Sequence, residues 1–230
     1  MAKSTRGPGA AVKALTALSL AGLLLLFLAM VGVHTDLIDP RTVFEAQTLD
    51  AARIVMIVSA VAALVTVGLA IRSAARLPYA AVAALGAWGA LGLFLFQDAR
   101  LASGGASDVT SNVQDPPGYS RLIQARRSDE GAQPTGGPSS CPTVVTLPTQ
   151  VTPQAAAAAL EQSGFVVVGA AAFRAEGTRE GYWFGLKHDA VIRIRPGETD
   201  IRVTARTPVA RGEAACSLAG RLSEALRATS

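Results

Sequence analysis

Three runs of this chain contain no charged residue: Ala14–Val33, Ile54–Ile71 and Tyr79–Phe96. Each approaches the ~20 apolar residues that a helix needs to cross the hydrocarbon core of a bilayer. They define a membrane domain over residues 1–97 and leave the rest of the chain to fold in water. The first run has the basic flank of a signal peptide in Lys3, Arg6 and Lys13. It is long, however, and two further runs follow, so it reads as a retained helix.

The loops set the orientation. Lys3, Arg6 and Lys13 precede the first run, and Arg72 and Arg76 lie between the second and third with no acid beside them. Between the first and second, Asp36, Asp39, Glu45 and Asp50 outnumber Arg41 and Arg53. Basic loops stay in the cytoplasm. The expected topology therefore has the N-terminus inside and everything after Phe96 outside, in a multi-pass protein of a bacterial cytoplasmic (inner) membrane. Arg far outnumbers Lys and Ala is abundant, a composition that suggests a high-GC bacterial source. The runs carry no ionisable side chain of the kind that pumps and ion pathways need, which argues against transport by this chain alone. Gly86, Gly89 and Gly92 allow close helix approach, either among the chain's own three helices or, alternatively, in an oligomer.

The outer part is nearly neutral, with 14 basic and 13 acidic residues from Asp98 onward. The chain's overall +4 charge thus gives no warrant for nucleic-acid binding. Residues 98–143 are rich in Gly, Ser, Pro and Asp, and read as an extended linker, pinned to the following domain by Val109-Thr110 and Tyr119.

Residues 144–230 read as a small α+β domain. Thr152 is a good N-cap with Pro153 at the first helical position, and Gly164 suits the C-terminal end. Phe165–Ala170 reads as a buried strand, and Phe173–Phe184 as one or two more. Ala190–Arg195 and Asp200–Arg206 alternate with period two. Ile192, Ile194, Ile201, Val203 and Ala205 point one way, and Val191, Arg193, Arg195, Arg202, Thr204 and Arg206 the other. A Gly197-Glu198 turn makes this a hairpin and opposes Arg195 to Asp200, Arg193 to Arg202, Val191 to Thr204 and Asp189 to Arg206. The like-charged Arg193–Arg202 pair is unfavourable. It is either solvated surface or a place for an anion or acidic partner. Glu213–Ala228 closes the chain as an amphipathic helix. The expected fold is three transmembrane helices followed by a two-layer sandwich, with an antiparallel sheet of three or four strands beneath two helices.

At these residues the chain resembles the bacterial family labelled domain of unknown function 1499. Asp108-Val109-Thr110 followed by Asp115-Pro116-Pro117 is similar to that family's entry motif. Arg174, Glu176, Trp183-Phe184-Gly185, Asp189 and Val191–Pro196 are similar to its core motif, and Arg206 falls where the family has Ser-Arg. The family's Ser-Asp-Leu-Gly-Asn residues are missing from ARTPVARGEAACS, His188 replaces the first Asp of an Asp-Asp pair, and Ser111 replaces a Thr. The resemblance implies a membrane-anchored form with three N-terminal spans and fixes no activity.

Chemistry-bearing residues are sparse. The two histidines, His34 and His188, stand in no metal-ligand spacing, and His188 reads as an exposed turn residue. Nucleophile-elbow, phosphate-loop and dinucleotide motifs are absent. The candidate ligand-binding residues are Asp189, Arg193, Arg202 and Arg206, with no cofactor and no metal. Cys141 and Cys216 both lie in the part placed outside, where they form either a disulfide or two separate buried thiols. These features lead to a non-catalytic envelope protein held in the lipid bilayer, whose outward domain binds a ligand or another envelope protein. The alternatives are an accessory subunit of a larger membrane complex and an envelope enzyme using His188, Asp189 and the arginines.

Overall fold

A computed structural model describes residues 9–71, 73–102, 106–126, 135–209 and 214–229. The chain divides into two compact units, Met1–Arg100 and Leu101–Ser230.

The first unit is helical: α1 (Ala10–Ser19), α2 (Ala21–His34), α3 (Pro40–Val43), α4 (Ala46–Ala70) and α5 (Leu77–Ala102). Among the described residues, three stretches are long and apolar enough to cross a membrane: Ala10–His34, Ala46–Ala70 and Ala74–Ala99. At 1.5 Å per residue, 25 or 26 residues exceed the ~30 Å hydrocarbon core. The first stretch is interrupted at Leu20, just after Thr16 and Ser19 turn their hydroxyls onto Val12 O and Thr16 O. Such back-bonding loosens a helix.

Small residues make the seams. Ala63 packs with Ala83 and Ala87, and Met56 with Ala90 and Phe94. Gly22 N donates to Ser59 Oγ at 3.0 Å. Of the three glycines expected to pack, Gly86 does so, because a Cβ there would meet Leu20. Gly89 and Gly92 face open space and are not part of the seam. The helices also run beyond the charge-free runs. Arg53 in α4 and Asp98 in α5 are joined by a 2.7 Å ion pair, so the helices, unlike the runs, do carry charge. Large side chains such as Leu24, Phe27, Ile57, Leu85 and Phe96 point outward, as lipid-facing residues do.

The second unit is α+β. Its strands are β1 (Asp108–Thr110), β2 (Val166–Ala171), β3 (Arg174–Glu180), β4 (Lys187–Arg195) and β5 (Glu198–Ala205). They form one antiparallel sheet in the order β1-β5-β4-β3-β2. The expectation of three or four strands is corrected to five, because β1 lies inside residues 98–143. That stretch also holds the short helix α6 (Arg121–Gln124) and Cys141.

Helices α7 (Pro153–Gln162) and α8 (Ala215–Thr229) cover one face. Thr152 caps α7 by accepting from Ala155 N at 3.1 Å, and Pro153 opens it. The core brings Ala156 and Leu160 of α7 and Leu218, Leu222 and Leu226 of α8 onto Val109, Ile192, Ile194, Ile201 and Val203. Cys141, buried in that core, is disulfide-bonded to Cys216 with Cα atoms 5.8 Å apart.

The hairpin register differs from expectation by two residues. Arg195 faces Glu198, Arg193 faces Asp200, Val191 faces Arg202 and Asp189 faces Thr204. The loop is Pro196-Gly197. Proline has no N–H to give a ladder and suits the first loop position, while Gly197 takes φ +77° at the second. An even shift leaves each side chain on its expected face. It removes the Arg193–Arg202 pairing, however, so that like-charged pair does not exist in the fold. His188 is corrected too: it sits within β4 and is buried, not in an exposed turn.

Candidate functional site: a charge ladder under a strap

The face of the sheet turned away from α7 and α8 is built from alternate residues of four strands. Asp108 and Thr110 come from β1, and Asp200, Arg202 and Thr204 from β5. Asp189, Val191, Arg193 and Arg195 come from β4, and Arg174, Glu176 and Thr178 from β3. Asp189, Arg193, Arg202 and Arg206, singled out from the sequence, are all here.

Each guanidinium is matched to a carboxylate. Arg206 reaches Asp189 with Nε at 3.1 Å and Nη2 at 2.7 Å, and also donates to Thr178. Arg202 grips both oxygens of Asp108, donates to Pro117 O at 3.2 Å and lies 5.5 Å from the Tyr119 ring centroid. Arg193 and Arg195 share Asp200, with closest N–O distances of 2.8 and 2.6 Å. Two-point contacts of this kind exploit the planar fork of arginine.

The carboxylates are deeply placed: Asp189 and Asp200 are 0% exposed, Glu176 5% and Asp108 7%. Burial alone pushes the Asp108 carboxyl up. The hydrogen bonds and charge of Arg202, with Thr204 and Thr135, outweigh it and hold the pKa below the usual carboxylate range. Burial likewise raises Asp200, and Arg193, Thr146 and Arg195 bring it below its ordinary value. Burial lowers Arg202, and Asp108 more than restores it. A carboxyl depressed on folding stabilises the fold above its unfolded pKa of about 3.9, and that contribution is lost as pH falls through the lower folded value. Stability of the second unit is therefore expected to fall steeply below about pH 4. Asp200→Asn should flatten the dependence in melts from neutral pH downward, and an unchanged slope in that variant would contradict the assignment.

A strap of chain from Ser111 to Gln124 lies over this face. Asp115 takes Arg193 Nη1 on its carboxylate at 2.9 Å and Nη2 on its carbonyl at 2.7 Å. Tyr119 donates to Asp189 O at 3.0 Å and lies 2.9 Å from Thr204 Oγ1. Ser120 N donates to Glu176 Oε1 at 2.6 Å. Tyr119 and Ile123 of the strap form a small apolar cluster with Val191 of the sheet beneath them. One corner remains open to solvent, where Asp115, two-thirds exposed, faces Arg193 and Arg195.

The sequence reading missed Asp108, Asp115, Asp200, Arg195, Glu176 and Tyr119 as members. Asp108, Asp115, Glu176 and Arg195 stand in the motifs quoted for the family resemblance, which was the available signal. Among the described residues no group of three His, Cys, Asp or Glu side chains is placed to hold a metal. Compared with family models, curated proteins and solved structures, the chain gives no match.

Proposed function

We propose that this is a non-catalytic cell-envelope protein akin to the domain of unknown function 1499 family. Its three membrane-crossing helices hold it in a bacterial cytoplasmic membrane with the N-terminus inside, and its α+β domain binds an acidic ligand or envelope partner outside. The observation that carries the reading is the division of labour on the charged face. Arg202 and Arg206 are spent on the buried Asp108 and Asp189, which is a structural task. Arg193 and Arg195 share the buried Asp200 but also meet an exposed carboxylate, Asp115, that an incoming carboxylate or phosphate can replace. Such an exchange makes use of the planar fit of guanidinium to those groups and needs no general base or nucleophile. Binding thus belongs to the Asp115–Arg193–Arg195 corner, and the four residues first singled out contribute Arg193 to it.

Isolation of the detergent-solubilised full chain with its co-purifying molecules tests this. A stoichiometric acidic partner or anionic ligand is expected, with recovery lowered several-fold by Arg195→Ala and raised by Asp115→Asn, which removes the competing charge. Recovery indifferent to both substitutions would overturn the assignment of the corner.

A further inference from the structure

The loop joining β3 to β4 runs Tyr182-Trp183-Phe184-Gly185-Leu186, with no charged residue. Its shape is fixed by backbone bonds from Gly181 N to Leu186 O (2.9 Å) and from Gly185 N to Gly181 O (3.0 Å), with Gly185 at φ +60°. Tyr182 is 86% exposed and Trp183 46%, and neither belongs to a core cluster. Their rings meet edge to face at 5.4 Å and hold each other as one projecting unit. Two large adjoining aromatic rings presented to water at a loop tip are more than scattered surface apolarity.

The register says which end of the sheet this tip occupies. Asp108, Thr204, Asp189 and Thr178 stand in one row across β1, β5, β4 and β3. Moving from that row toward the start of β1 means moving up β5, down β4 and up β3. Ser107 O accordingly accepts from Ala205 N, and Lys187 O from Arg206 N. On β3 the same direction leads within three residues to Gly181 and the aromatic loop. Tyr182 and Trp183 therefore project from the end at which the chain enters the sheet, and Phe173 and the Pro196-Gly197 turn lie at the other end. Five residues, 103–107, separate the end of α5 from β1. Fully extended they reach no more than ~20 Å. A loop on so short a leash meets the bilayer that holds the helices far more often than any free partner.

We propose that Tyr182 and Trp183 insert into the interfacial layer of the same bilayer that the helices cross, docking that end of the domain on the membrane surface. Tyr and Trp favour this layer because an apolar ring and a polar N–H or O–H are satisfied there together. The proposal rests on the membrane anchoring and not on the binding role given to the Asp115 corner.

The chain has two tryptophans, Trp88 in α5 and Trp183, and each isolates the other as a reporter. The full chain is reconstituted into phosphatidylcholine nanodiscs whose acyl chains carry bromine close to the headgroups. In the Trp88→Phe chain, Trp183 is expected to lose most of its emission to bromine and to resist aqueous iodide. In the Trp183→Phe chain, Trp88, near the middle of Ala74–Ala99, reports the anchoring itself in parallel nanodiscs brominated near the acyl-chain ends. Trp183 untouched by bromine and open to iodide, with Trp88 still quenched, would overturn the docking while leaving the anchor in place. Shielding of Trp183 only after another protein is added would overturn it equally.

Discussion

Arg202→Ala is expected to destabilise the second unit by about 3–5 kcal/mol, the range for removing one partner of a buried ion pair. The substitution leaves Asp108 with Thr204 and Thr135 as its side-chain partners and no counter-charge, at 7% exposure. Two further contacts go with it, the bond to Pro117 O and the stack on Tyr119, so the strap loosens as well. A surface arginine in the like-charged pair first expected would have cost only a few tenths of a kcal/mol. The magnitude therefore separates a structural ladder from a solvated face. Hydrogen exchange across β4 and β5 in the detergent-solubilised full chain, with urea as the variable, measures it. Adding Asp108→Asn to Arg202→Ala should recover part of the loss, since the stranded charge disappears with its partner.

Removing the disulfide should cost a comparable amount. Cys141 and Cys216 are 75 residues apart, and chain-entropy arguments for a loop of that size give about 4 kcal/mol, with about 2–5 kcal/mol usual for a native bridge. The bridge ties the segment before α7 to the first turn of α8, beside Val144 and Ala219 of the core. Cys141→Ser is expected to leave a buried hydroxyl as well, whereas Cys216→Ala mainly opens the loop. Both variants should therefore unfold at markedly lower urea, with the serine variant worse. Native protein with two free thiols on non-reducing mass analysis would contradict the bridge.

The contrast between the two units explains what could be read in advance. Apolar runs and helix caps are local signals, so the three long helices and the Thr152–Pro153 start of α7 were legible residue by residue. The two faces of the central hairpin were legible for the same reason, because alternation survives an even register shift. Register itself was not, since it turned on whether Pro196 or Glu198 entered the loop. β1 is three residues long and sits among Gly, Ser and Asp, where period-two alternation cannot be seen. Its place at the sheet edge is bought by contacts ninety residues away, Asp108 with Arg202 and Ser111 Oγ with Ile201 N. His188 looked like a turn residue because a short polar triplet, Lys187-His188-Asp189, resembles a loop. Its burial comes from the strands on either side, where it pairs with Arg179 and Ala205. Arg206 with Asp189 and Arg195 with Asp200 are neighbours within the hairpin and legible from it, whereas Asp108 and Asp115, the partners of Arg202 and Arg193, come from β1 and the strap, which only the fold brings to this face.

The proposed topology, with the α+β domain outside the cytoplasm and three membrane-crossing helices holding it there, is decided by compartment-sensitive fusions. Alkaline phosphatase, which is active only when exported, is joined after Ser230 in one chain and after Arg76 in another. The basic flank of the first apolar run and the basic loop between the second and third predict activity for the first fusion and none for the second. An inactive enzyme after Ser230 together with an active one after Arg76 would place the domain in the cytoplasm and contradict the account.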